Sequence, residues 1–61
     1  MNRSDKQKWA LKQDPNFLGA DAFNRGDSMD NNPYNFYLDR GEWQKWNAAY
    51  LKRLNQHENT Q

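Results

Sequence analysis

Sixty-one residues allow one domain at most, near the lower size at which a chain folds around an unaided core. With no cysteine, neither a disulfide nor a thiolate metal site can staple the fold, and a formal charge of +1 falls short of the broad basic footprint of a dedicated nucleic-acid binder. No apolar run approaches the ~20 residues that cross a bilayer, and no cationic segment followed by an apolar stretch marks a secretory signal, so a cytoplasmic protein without a membrane partner is expected. Mean hydropathy is low at −1.49, yet 15% of the residues are aromatic. Disordered chains lack such rings, whereas a tiny fold can use them as its core because each buries a large area. A chain this short cannot bury all of them, so some are expected at a partner surface or a homodimer interface.

In chain order, Ser4-Asp5-Lys6-Gln7 has the form of a capping box and predicts a short polar helix over Asp5 to Lys12. Alone, a segment of that length is marginal. Asp14-Pro15 reads as a cap followed by proline at the first helical position, opening a helix that should end at Gly26. Phe17, Leu18, Ala22 and Phe23 form its apolar flank, and Gly19 within it suggests close approach of another helix. Asp27 to Pro33 is a polar, turn-rich connector in which Pro33 pushes Asn32 out of helical geometry. After it come Tyr34, Phe36, Tyr37 and Leu38. Asp39 and Glu42 then fit a capping box for a long helix from Arg40 to about Asn55, with a stripe of Trp43, Trp46, Ala49 or Tyr50, and Leu54. Trp43 is expected as the central core ring, and Lys52 and Arg53 as complements to the negative end of the helix dipole.

No strand alternation occurs, so the expected fold is all-α: two helices folded against each other by an Asn-Pro-Tyr connector, with an optional short N-terminal helix. The whole chain, 1–61, is one small helical domain, with 1–13 and 56–61 expected to be frayed, and His57 is expected as a solvated side chain in that tail.

Enzyme chemistry finds no support in these residues. Gly26-Asp27-Ser28 puts an acid where a phosphate-cradling loop needs lysine. Ser4, Ser28 and Thr60 have no histidine within the expected core to act as a base. Asp27, Asp30, Asn31 and Asn32 lack the spacing and closing glutamate of a calcium loop, so no metal and no cofactor is expected.

A ladder of residues carries the strongest functional signal: Gly19, Gly26, Pro33-Tyr34, Arg40 and Trp43, spaced by seven, seven and ten residues between its glycine, glycine, proline and tryptophan steps. This frame resembles the ribosome modulation factor family and related small proteins of phages and mobile elements, over Gly19 to Ala49. The chain departs from that pattern in carrying Asn32 where the family tends to have cysteine, and in placing Trp46 three residues after Trp43 where the family has its next tryptophan four residues on. It is also less basic than the family's ribosome-binding members: residues 1–26 hold five Lys and Arg against three Asp, the remainder four against five acids.

The resemblance implies a ribosome-associated, hibernation-type regulator that binds 16S rRNA of the small subunit and represses translation. Tyr34, Tyr37, Arg40, Lys45, Lys52 and Arg53 would then contact RNA or another partner, through phosphate neutralisation and base stacking. Gly19, Gly26, Pro33, Trp43 and Trp46 would form the structural motif. The near-neutral charge and surplus of rings support an alternative: a phage- or mobile-element-encoded interaction module that binds and modulates a host protein, since protein interfaces favour Trp, Tyr and Arg over bulk positive charge.

Overall fold

The computed structural model describes residues 4–59; 1–3, 60 and 61, the extreme ends of the segments expected to fray, lie outside the described residues. Among the described residues three α-helices form, α1 (Asp5–Leu11), α2 (Pro15–Asn24) and α3 (Arg40–Asn59), with a 3-10 turn at Met29–Asn31 between the last two. There is no strand among the described residues. The chain is all-α, with the short N-terminal helix present.

Local chemistry sets the helix ends. Ser4 Oγ accepts from the Gln7 N–H at 3.2 Å while Gln7 Oε1 accepts from the Ser4 N–H at 3.1 Å, so the expected capping box closes. Asp14 Oδ1 accepts from the Asn16 N–H at 2.9 Å and Pro15 occupies the first turn of α2. At the other end of α2 the Asp27 N–H reaches back to the Ala22 carbonyl and the Gly26 N–H to that of Phe23. This is the Schellman closure, and it needs the φ of +81° that Gly26 supplies. The Asp39 carbonyl accepts the first intrahelical bond of α3 from Trp43, at 2.8 Å.

α3 is longer than expected. It runs through Asn59, because Gln56, His57 and Glu58 include no breaker. Two corrections follow. His57, exposed as expected, lies on the helix and not in a frayed tail, with its ring centroid 5.8 Å from that of Phe23. Lys52 and Arg53 stand well before the C-terminus, too far back for a dipole effect confined to the last turn.

The contacts between α2 and α3 advance in the same direction along both helices. Gly19 lies against the Trp46 backbone and the Ala49 methyl, and further on Phe23 meets Tyr50 and His57. The return leg is therefore the connector, which runs back along α3: Tyr50 Oη donates to the Asp27 carbonyl at 2.6 Å, and Asn32 lies beside Trp43 and Asn47. Asn32 pins the elbow. Its Nδ2 donates to the Trp43 carbonyl at 3.1 Å and to Asn47 Oδ1 at 2.9 Å, while its Oδ1 accepts from the Tyr34 N–H at 3.0 Å.

The core gathers Ala10, Leu18, Ala22, Tyr34 and Trp46, with Met29, Trp43 and Tyr50 packed around it. Trp46, 2% exposed, is its central ring, rather than Trp43, which is only partly buried and packs edge-on against Phe36. Tyr50 stacks on Trp46 with centroids 5.5 Å apart. Phe17, expected on the apolar flank of α2, is 66% exposed because Leu18, Gly19 and Ala22 are the residues turned inward.

Candidate functional site

Of the six predicted contact residues, the structure removes Tyr34 from the surface. Its ring is 4% exposed, and its hydroxyl donates to the Ala10 carbonyl at 2.6 Å, with the Gln13 carbonyl at 3.4 Å. A ring so enclosed cannot stack on a base; its role is to anchor α1. Burial pushes the Tyr34 phenol above its ordinary value of 10.0, and the carboxylates of Glu42, Asp14 and Asp39 push in the same direction. A group whose folded value is raised contributes fully below its unfolded value and loses that contribution as pH rises through the folded one. Stability should therefore lose the Tyr34 contribution only above about pH 10. In denaturant titrations across pH, Tyr34→Phe should start about 1 kcal/mol lower at neutral pH and show a shallower alkaline decline.

Tyr37 and Arg40 come together at the start of α3. Asn35 builds the turn that carries them: its Oδ1 accepts from the N–H groups of both Tyr37 (2.8 Å) and Leu38 (2.9 Å). The Asp39 N–H donates to the Asn35 carbonyl at 2.8 Å and the Asp39 carboxylate accepts from the Asn35 N–H at 3.2 Å. Phe36 is held inside this turn, edge-on to Tyr37 and to Trp43 and covered by the Arg40 guanidinium 4.0 Å from its centroid. The outcome is a hydrogen-bonded corner from which Tyr37 (85% exposed) and Leu38 (70%) project. Leu38 was not among the residues predicted from sequence. The signal available for it was Asn35, whose side chain can close a turn on the residues two and three places on.

Lys45, Lys52 and Arg53 are exposed on α3 and do not join that corner. They share a different property: from Trp43 to His57 the helix carries these three cations and no Asp or Glu. Averaging the charge over 27–61 conceals this stretch, since the acids cluster in the connector and at both ends of α3. Lys52 and Arg53, with Asn16, Ala20, Ala48, Ala49 and Gln56, line an open groove of about 470 Å3 between α2 and α3.

Among the described residues no three His, Cys, Asp or Glu side chains gather closely enough to hold a metal ion, and no helix is long and apolar enough to cross a membrane. The ladder residues have structural roles: Gly19 admits α3, Gly26 closes α2, Pro33 leads into the buried Tyr34, and Trp43 packs beside the core. Comparison of the chain with protein-family models, with curated proteins and with solved structures finds no match, so the likeness to ribosome modulation factors rests on the spacing of these residues alone.

Proposed function

We propose that the protein is a non-catalytic interaction module that binds and modulates another protein through the corner at the start of α3. The observation that supports this reading is the outward projection of Tyr37 and Leu38 from a turn whose backbone is fastened by Asn35 and Asp39. Water favours burial of two such side chains, and the fastened turn reduces the ordering cost on binding. Arg40, laid over Phe36, extends the patch with a residue type enriched at binding hot spots.

Affinity capture from bacterial lysate tests it. A single protein retained through nuclease treatment and high salt by the native chain, and lost by the Tyr37→Ser/Leu38→Ser double variant with unchanged circular dichroism, is the expected result. Equal capture by the double variant would overturn the reading.

The acid-free stretch 43–57 favours a second reading, association with the small ribosomal subunit and repression of translation, in which Lys45, Lys52 and Arg53 neutralise rRNA phosphates. It requires co-sedimentation with 30S particles that weakens steeply as salt is raised. Free protein at the top of the gradient in low salt would remove it.

A further inference from the structure

The two sides of the α2–α3 seam are treated differently by the rest of the chain. On one side α1 and the connector close over it, bringing Lys6, Trp9, Asn31 and Pro33 beside Leu18, Ala22 and Trp46. The opposite side, where Ala20, Ala48 and Ala49 flank the Gly19 contact, is left open as the groove described above. Alanine methyls at that seam let a third backbone approach closely. No acidic residue lines the groove, and no ion pair is drawn to Lys52 or Arg53 among the described residues. Two cations beside a floor of methyl groups, with Asn16 and Gln56 supplying amides, match one kind of surface.

We propose that this open seam receives an acidic amphipathic helix of a partner protein, its small apolar residues against Ala20, Ala48 and Ala49 and its carboxylates against Lys52 and Arg53. This rests on the protein-binding reading above but uses a different surface from the Tyr37–Leu38 corner. A nucleic-acid strand fits the groove less well. Among the described residues that line it none is aromatic, the Phe23 and His57 rings lying in the adjoining hollow that shares Arg53 and Gln56, and two cations neutralise too few phosphates for useful affinity at physiological salt. A helix gains instead from close packing plus two peripheral charge pairs.

The probe is a capped helical peptide of about 15 residues with alanine along one face and glutamate on both flanks, about 22 Å long and so able to cover the seam. It is titrated into the full isotope-labelled chain and followed by amide chemical shifts. Saturable shifts confined to Asn16, Ala20, Ala48, Ala49, Lys52, Arg53 and Gln56 are expected. Lys52→Glu/Arg53→Glu should weaken binding by about tenfold or more, and Ala48→Leu, at an exposed position, should fill the groove and do the same.

Absence of saturable shifts up to about 1 mM peptide would overturn the proposal, as would shifts centred elsewhere. Tighter binding of a uridine-rich oligonucleotide at these same amides would also overturn it. If the peptide fails while capture through Tyr37 and Leu38 persists, the seam is excluded and the protein-binding reading stands.

Discussion

Replacement of Trp46 by alanine is expected to abolish the cooperative thermal transition. The ring is the largest fully buried side chain; Tyr50 stacks on it, and its own backbone forms the contact with Gly19. Deleting a buried aromatic costs about 3–5 kcal/mol, and a core of this size rarely supplies more than about 3–5 kcal/mol in total. The two quantities are equal within their spread, so the variant should be largely unfolded at 25 °C. Trp43→Ala provides the internal comparison. That ring lies at the core's edge and leans on Phe36, so its loss should lower the melting temperature while leaving a cooperative transition. Circular dichroism melts of both variants decide the matter. If Trp43→Ala proved the more damaging, the assignment of the central ring to Trp46 would be wrong.

Gly19→Ala is the second large effect, and its sign runs against helix propensity. On an exposed helix the change stabilises by about 1 kcal/mol. Here the added Cβ would overlap the carbonyl oxygen of Trp46 and sit 3.0 Å from the Ala49 methyl. The first obstacle is backbone and cannot rotate aside, so α2 and α3 must separate. Overpacking of this kind costs about 1–3 kcal/mol, which exceeds the propensity gain through most of that range. Urea denaturation should show a lower midpoint for Gly19→Ala than for the native chain. A raised midpoint would mean that the helices yield easily and that the close contact is incidental.

What could be read from the chain before its structure follows the range of the interactions involved. Ser4 with Gln7, Asp14 with Pro15, and Gly26 act on their immediate neighbours, and each ends its helix where the local chemistry says it should. Gly19 was also legible, because a glycine within a helix has few other uses. Tyr34 was not. Its burial depends on a carbonyl at Ala10, 24 residues away, and nothing near the Pro-Tyr pair announces that partner. The choice between Trp43 and Trp46 is likewise tertiary: both fall on one helical stripe, and the connector and α2 together decide which becomes central. The direction of α2 relative to α3 was not legible for the same reason, since it depends on the connector itself running back along α3. Of the corner proposed to meet a partner, Tyr37 and Arg40 were named from sequence and Leu38 was not. The α3 cations were named, but their acid-free setting was hidden by averaging charge over the whole C-terminal half.

The fastening of the connector bears on how readily this molecule could exchange segments with a second copy. Small helical proteins swap elements when a hinge can swing open cheaply. Here opening would break the bonds from the Asn32 amide to the Trp43 carbonyl and to Asn47 Oδ1, and from the Tyr50 hydroxyl to the Asp27 carbonyl, none of them regained in a second chain until the exchanged segment has docked. The cost of breaking them weighs against entwined dimers, and two of the three bonds belong to one asparagine.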